Sequence, residues 1–181
     1  EPGQGGQLEL SSGRFRTRLS LAPAEGYPEL LVPEGEDKGA FPLRTRMPSG
    51  ELVKALTHVR YAASNEEYRA IFRGVQLEFS PQGFRAVASD GYRLALYDLP
   101  LPQGFQAKAV VPARSVDEMV RVLKGADGAE ADLALGEGVL ALALEGGSGV
   151  RMALRLMEGE FPDYQRVIPQ EFALRVQVEG E

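Results

Sequence analysis

The spacing of apolar residues between positions 41 and 169 changes between two periods, and it does so twice in the same order. The alternating segment "FPLRTRM" predicts a strand, and "PSGELVKALTHVRYAAS" predicts a helix because apolar residues recur every three or four positions. Three alternating segments, "GVQLEFS", "FRAVAS" and "YRLALYD", then predict strands. The predicted apolar face of the helix consists of Leu52, Ala55, Leu56, Val59 and Ala63.

The second half of this region repeats the order. "AKAVVP" predicts a strand, "ARSVDEMVRVLKG" predicts a helix, and "ADLALGE", "GVLALALEG" and "VRMALRLME" predict strands. Ser115 and Glu118 have the spacing of a capping box at the start of this helix. The apolar stripe of this helix consists of Val116, Met119, Val120 and Leu123. The pattern therefore predicts an α+β fold of two β-α-β-β-β units, with both helices packed on antiparallel sheets.

A longer repeat suggests how the chain is divided. "SGRFRTRLSLAPAEGYPEL" near the start resembles "SGVRMALRLMEGEFPDY" near position 160, and Pro28 and Pro162 stand 134 residues apart. The alternative is a chance likeness between two strand-and-turn segments. A true repeat predicts that residues 1–40 end one domain, residues 41–169 form a complete domain, and residues 170–181 begin another.

Composition limits the chemistry available to the chain. The absence of cysteine excludes disulfides and thiolate metal sites, and the single histidine, His58, disfavours a zinc site or a Ser-His-Asp nucleophile. We predict no metal and no cofactor. The glycines of Gly136-Glu-Gly138 loosely match a dinucleotide fingerprint, but a strand follows where a helix should begin. No apolar run is long enough to span a bilayer and no leader is evident, which predicts a cytoplasmic protein without a membrane partner.

The stretch "ASDGYRLALYD" groups polar and charged side chains at a predicted turn. Asp90-Gly91 between alternating segments predicts a type I′ hairpin, in which both central residues have a positive φ. No histidine is nearby and no second carboxylate is placed within reach of Asp90 by the sequence, which disfavours catalysis here. The pattern favours a surface hairpin that presents Tyr92 and Arg93 to a partner.

Three segments carry a resemblance to a known family. "VASDGYRLALYDLP", "VVPARSVDEMVRVL" and "LRLMEGEFPDYQRVIP", in this order and spacing, resemble the middle domain of the bacterial DNA sliding clamp, the β subunit of DNA polymerase III. The resemblance implies a DNA-clamp fold and a fragment centred on the second of three similar domains. It also implies a full-length homodimeric ring, with helices lining the hole and sheets outside. The fragment itself is then expected to be monomeric.

The resemblance also implies how the chain meets DNA. The formal charge is −6, and the segments 1–40, 41–169 and 170–181 carry −3, −1 and −2. A ring that encloses duplex DNA needs only weak, non-specific phosphate contacts from its inner face, so an acidic total is compatible with this function. By similarity the DNA-facing residues are Lys54, Arg69, Arg114, Arg121 and Lys124. Ordinary solvated helix faces remain the alternative.

The same family implies a role for the hairpin, a pocket that receives short peptide motifs. By similarity it is formed by Phe72, Ser89, Gly91, Tyr92, Arg93, Leu94, Pro162, Arg166 and Val167. The implied partners are the polymerase III catalytic subunit, the clamp loader and repair proteins. The function implied is that of a non-enzymatic processivity factor. The alternative is a metal-dependent α+β hydrolase or nuclease that uses carboxylates.

Overall fold

The computed structural model describes residues 6–22, 25, 39–126, 128–144, 149–171 and 173–177. The chain forms two compact units, Glu1–Leu30 and Leu31–Glu181. Within these described ranges, no helix has the length and apolar character needed to cross a membrane. Pro28, which marks one end of the long repeat, lies outside the described residues.

The described part of the first unit is an antiparallel hairpin of β1 (Gln7–Ser12) and β2 (Phe15–Ser20). The register pairs Leu8 with Leu19 and Ser12 with Phe15. Gly13 has a φ of 58°, which glycine adopts readily in a tight turn. The assignment of residues 1–40 and 170–181 to neighbouring domains stays a prediction.

The second unit has the predicted element order. It comprises β3 (Leu43–Pro48), α1 (Ser49–Arg60), β4 (Gly74–Ser80), β5 (Gly83–Ser89), β6 (Leu94–Leu99), β7 (Ala107–Pro112), α2 (Ala113–Lys124), β8 (Glu130–Gly136), β9 (Val139–Leu144) and β10 (Arg151–Arg155). Short 3-10 helices lie at Ala70–Arg73 and Tyr164–Val167. The two predicted β-α-β-β-β units are therefore confirmed.

The first strand of each β-α-β-β-β unit joins the sheet formed by the other strands of the other β-α-β-β-β unit. One four-stranded sheet has the order β6-β5-β4-β7, and the other has the order β10-β9-β8-β3. Strand β3 pairs antiparallel with β8, and β7 pairs antiparallel with β4. This exchange ties the two halves of the domain into one structure.

The helices and both sheets enclose one core. The α1 residues Leu52, Leu56 and Val59 are fully buried in it. Val116 and Met119 of α2 are also fully buried. Helix α1 packs on β5 and β6, and α2 packs on β4 and β7. Each fully buried side chain of this size stabilises the fold by roughly 1.5–3 kcal/mol.

Helix α2 begins without the predicted capping box. Pro112 occupies the N-cap position, and no side chain caps the helix. Ser115 and Glu118 therefore lie inside the helix, where the Glu118 carboxylate accepts a hydrogen bond from Arg121. The prediction from spacing was wrong because the helix already begins at Ala113, directly after the proline that ends β7.

The glycine motif between β8 and β9 is a hairpin turn. Gly136 pairs with Val139, so Glu137 and Gly138 form a two-residue loop. Gly138 has a φ of 69°, which suits such a turn. No helix follows, as the sequence predicted.

Candidate functional site

The Asp90-Gly91 turn joins β5 to β6, but it is not the predicted type I′ hairpin. Ser89 pairs with Leu94, so residues 90–93 form a four-residue loop. Gly91 has a φ of 90°, whereas no non-glycine residue in the described ranges has a positive φ. A type I′ turn needs a positive φ at both central residues, so this part of the prediction was wrong.

The side chain of Asp90 organises the loop instead. Its Oδ1 accepts hydrogen bonds from the backbone N–H groups of Tyr92 (2.9 Å) and Arg93 (3.0 Å). These bonds hold the pKa of Asp90 below its ordinary value, and the bond from Tyr92 has the largest effect. The positive charge of Arg93 lowers the pKa by a smaller amount. Ser89 Oγ accepts a hydrogen bond from the Gly91 N–H (3.0 Å) and donates one to the Arg93 carbonyl (2.8 Å). The turn is thus closed by two side chains.

Strand β6 divides its side chains between two faces of the sheet. Ala95, Tyr97 and Leu99 pack against the core beneath the helices. Because side chains alternate along a strand, Leu94 and Leu96 lie on the opposite, outer face. Leu94 and Tyr97 therefore point to opposite sides of the sheet.

The outer face carries an apolar patch beside the turn. Val87 pairs with Leu96, and Ser89 pairs with Leu94, which places these side chains next to one another across β5 and β6. Val87 is fully buried, and Leu94 and Leu96 are partly exposed. We call Val87, Leu94 and Leu96 the outer apolar patch. Of these three residues, only Leu94 was predicted from the sequence to line the pocket. Val87 and Leu96 could have been predicted too, because the alternation of side chains along β5 and β6 places them on the same face as Leu94.

Arg69 lies in the segment between α1 and β4, and its side chain reaches the turn. Its guanidinium carbon lies 5.5 Å from the Tyr92 ring centroid and 5.9 Å from that of Phe72. Arg69 Nη1 also donates a hydrogen bond to the Asp90 carbonyl (3.2 Å). A Cβ added at Gly91 would lie 2.5 Å from this nitrogen. The side chain that we predicted to face DNA is thus packed against the hairpin.

Phe72 connects the hairpin to the segment after β10. Its ring edge packs against Phe161, with 6.2 Å between centroids. Phe161 directly precedes Pro162, and both lie in the quoted motif "LRLMEGEFPDYQRVIP". Only Pro162 was predicted to line the pocket. Arg166 forms an ion pair with Asp163 in the same segment (2.8 Å). Within the described part of the chain, no hydrogen bond or ion pair joins Arg166 to the hairpin.

Tyr164 fixes this segment to the outer face of the same sheet. Its side chain is only 5% exposed. The hydroxyl donates to Glu78 Oε2 (3.1 Å) and accepts a hydrogen bond from Arg85 Nη1 (3.2 Å). Burial is the main cause that raises the pKa of Tyr164 above its ordinary value. Three residues after Tyr164, the exposed Val167 ends the 3-10 helix that begins at Tyr164.

The predicted DNA-facing side chains of the helices differ in their partners. Lys54 Nζ lies 2.6 Å from Glu51 Oε1, and this hydrogen bond raises the pKa of Lys54. Arg121 is paired with Glu118. Arg114 and Lys124 are exposed, and neither forms an ion pair with another described residue.

A basic cleft adjoins Arg114. The cleft has a volume of about 480 Å³ and is lined by Arg60, Arg73 and Arg114, among others. Arg60 crosses from α1 to α2, where it lies 2.8 Å from Asp117. Arg73 was not selected from the sequence, because it stands in a short 3-10 helix with no helical face to reveal it.

The remaining titratable groups do not form a metal centre in the described ranges. These residues contain no cluster of three or more histidine, aspartate or glutamate side chains that could hold an ion. His58 packs on Tyr97, with 5.1 Å between ring centroids, and its Nδ1 lies 2.7 Å from the Lys54 carbonyl oxygen.

Comparison with known proteins places this geometry in a family. The family model for the DNA polymerase III beta subunit, central domain, matches residues 46–163. The chain is 32% identical over 162 residues to the beta sliding clamp of Haemophilus influenzae, covering 89% of the chain and 42% of that protein. It is 28% identical over 168 residues to the beta sliding clamp of Escherichia coli K12, covering 92% and 43%. The chain thus spans less than half the length of these curated relatives.

Solved structures give the same result. The chain superposes on the DNA polymerase III subunit beta of Pseudomonas aeruginosa with a TM-score of 0.80 at 27% identity, covering 93% of the chain and 44% of that structure. It superposes on the beta subunit of Thermotoga maritima with a TM-score of 0.77 at 27% identity, covering 94% and 44%. The matched region contains the two β-α-β-β-β units, and the chain belongs to the bacterial beta sliding clamp family.

Proposed function

We propose that this chain is the central part of a processivity clamp that encircles duplex DNA and docks short peptide segments of other proteins. The observation that carries the docking role is the outer apolar patch beside the Asp90-Gly91 turn. Phe72 lies at this turn and contacts Phe161 of the following segment. Apolar side chains of a peptide can be buried there while Arg93 remains exposed for polar contacts.

The proposed docking surface consists of Phe72, Ser89, Gly91, Tyr92, Arg93, Leu94, Pro162, Arg166 and Val167. Its partners are the polymerase III catalytic subunit, the clamp loader and repair proteins. Burying one leucine and one phenylalanine side chain gains roughly 1.5–3 kcal/mol each, and ordering the peptide offsets much of that gain. We expect a dissociation constant in the high-micromolar range, or roughly −5 to −6 kcal/mol.

A peptide titration tests the docking role. A synthetic peptide with adjacent leucine and phenylalanine side chains is added to the ¹⁵N-labelled chain while NMR shifts are recorded. We expect the largest shifts at residues 89–94 and 161–167. Saturable shifts confined to another surface would contradict the proposed site.

The helical side of the domain supports the DNA role. Exposed Arg114 and Lys124 lie on α2, and exposed Lys54 lies on α1. A closed ring retains DNA by enclosure, so few phosphate contacts suffice even though the chain carries a formal charge of −6. The role is that of a scaffold without its own catalysis, acting in the cytoplasm. The alternative of a metal-dependent hydrolase or nuclease is not supported by the family assignment.

Assembly is the remaining part of the proposal. We expect the full-length protein to form a homodimeric ring of three-domain subunits and the 181-residue chain to be a monomer. Sedimentation velocity at micromolar concentration measures this directly. A stable ring-like dimer of the 181-residue chain would contradict the proposed assembly.

A further inference from the structure

A row of alternating charges crosses the sheet on its outer face, below the outer apolar patch. The register places Lys108 of β7 opposite Glu78 of β4, Glu78 opposite Arg85 of β5, and Arg85 opposite Asp98 of β6. Arg85 is paired with Asp98, and Lys108 Nζ lies 3.6 Å from Glu78 Oε1. Opposite charges on neighbouring strands stabilise such a row.

The hydroxyl of Tyr164 enters the middle of this row. It donates to Glu78 and accepts from Arg85, so it uses both of its hydrogen-bonding functions on charged partners from two adjacent strands. The other Glu78 oxygen accepts a hydrogen bond from Gln76 Nε2 (2.6 Å), which holds the carboxylate in place. Hydrogen bonds to charged groups are stronger than those between neutral groups, and their geometry is directional.

Tyr164 also lies between two parts of the proposed docking surface. Three residues before it, Phe161 packs on Phe72. The 3-10 helix that begins with Tyr164 ends in Arg166 and Val167, both of which are largely exposed. Arg166 is paired only with Asp163 of its own segment among the described residues, whereas the buried Tyr164 is bonded to the sheet and anchors this 3-10 helix there.

We propose that Tyr164, held by Glu78 and Arg85, is a positioning residue that sets the placement of Arg166 and Val167 for peptide binding. This inference rests on the proposed docking function. It assigns a role in binding to side chains that lie outside the docking surface itself.

The test separates positioning from general stability. Tyr164→Phe removes only the hydroxyl, and Glu78→Gln keeps the shape of its partner while it removes the charge. We expect each variant to bind the leucine- and phenylalanine-containing peptide about five- to tenfold more weakly than the original chain. Since both changes break one network, the peptide affinity of the double variant should be at most about twofold lower than that of whichever single variant binds the peptide less well. Tyr97→Phe, which removes a hydroxyl on the other face of the same sheet, should change affinity by less than twofold.

A second readout uses the chain without peptide. Nuclear Overhauser contacts between the Phe72 and Phe161 rings and the methyl shifts of Val167 report the position of the segment. We expect both to change in Tyr164→Phe and Glu78→Gln but not in Tyr97→Phe. Unchanged contacts and methyl shifts in both folded variants would overturn the inference.

The two readouts distinguish this inference from the docking function. If the original chain fails to bind the peptide, the docking proposal fails, and the ring contacts and methyl shifts still decide whether Tyr164 positions the segment. If the original chain binds and both folded variants bind equally well, the positioning role in binding is wrong. Additive losses in the double variant would also overturn the shared network.

Discussion

Leu94 and Tyr97 lie three positions apart on β6 and face opposite sides of the sheet. Tyr97 packs against the core and against His58 of α1, whereas Leu94 lies on the outer face in register with Ser89. A change at Leu94 therefore alters the outer surface without entering the core.

Replacing Leu94 by lysine should abolish peptide binding. The ammonium would have to lose water on burial beneath the peptide, and the apolar contact would be lost as well. The measurement is an NMR titration with the leucine- and phenylalanine-containing peptide. Tyr97→Phe is the matched control and should bind within twofold of the original chain. Equal binding by folded Leu94→Lys would show that the hairpin is not a docking surface.

DNA binding should be weak and should fall steeply with salt. With three to five phosphate contacts, each contact contributes about −0.9 to the slope of log affinity against log salt. Arg114→Gln should make the slope shallower by about 0.9. Lys54→Gln should have a smaller effect, because Lys54 is already engaged by Glu51 at 2.6 Å. Anisotropy of a labelled duplex over a salt series measures both slopes. Tight binding that is insensitive to salt or specific for one sequence would contradict the clamp role.

Replacing Gly91 by alanine should destabilise the domain by about 1–2 kcal/mol, because the φ of 90° is unfavourable for a residue with a Cβ. The added carbon would also displace the end of the Arg69 side chain, which lies 2.5 Å from its position. Urea unfolding gives the change in the free energy of unfolding. Gly104→Ala is the control: no atom lies within 4 Å of the added carbon. A stability of Gly91→Ala equal to that of the control would refute the strain argument.

Asp90 should make stability depend on pH in the acid range. Its pKa is lowered in the folded chain, so its contribution is complete above the ordinary value of 3.8 and is lost as pH falls through the folded pKa. The difference in unfolding free energy between the original chain and Asp90→Asn should therefore be largest above about pH 4 and should shrink below it. Urea unfolding at several pH values measures this difference. A difference that stays constant down to pH 2 would contradict the role of the carboxylate.

Tyr164 should act at the opposite end of the pH range. Its pKa is raised above 10.0 in the folded chain, so its contribution is complete below pH 10 and is lost as pH rises through the folded value. Ultraviolet difference titration should show a late-ionising tyrosine signal, and Tyr164→Phe should remove part of it, since the pKa of Tyr68 is also raised, chiefly by a hydrogen bond with Glu66. Loss of an earlier-ionising tyrosine would contradict the burial argument.

Local sequence determined most of the secondary structure. The period of apolar residues marked α1, α2 and the strands of the second unit, because burial of one face imposes a period of two on strands and about 3.6 on helices. Leu52, Leu56 and Met119 were accordingly predicted to lie in the core, and they are buried. The resemblance in the three quoted motifs also identified the family, which the comparisons show.

Local geometry was predicted less well. The Asp90-Gly91 pair indicated a turn, but the aspartate side chain replaced the backbone conformation that a type I′ turn requires. Ser115 and Glu118 had the spacing of a capping box, but Pro112 fixed an earlier helix start. In both cases a different local interaction formed in place of the predicted motif, the type I′ turn or the capping box.

Which distant residues meet depends on how the whole chain packs. The pairing of β3 with β8 and of β7 with β4 joins strands far apart in the chain, and no local period encodes such a choice. In the same way, Arg69 packs at the hairpin, and Tyr164 joins Glu78 to Arg85 across two strands. Each segment's buried face could be predicted from its own residues, because that face depends on near neighbours along the chain. Register, long side chains and partners across the sheet depend on three-dimensional packing, so the placement of the candidate site could be found only in the folded chain.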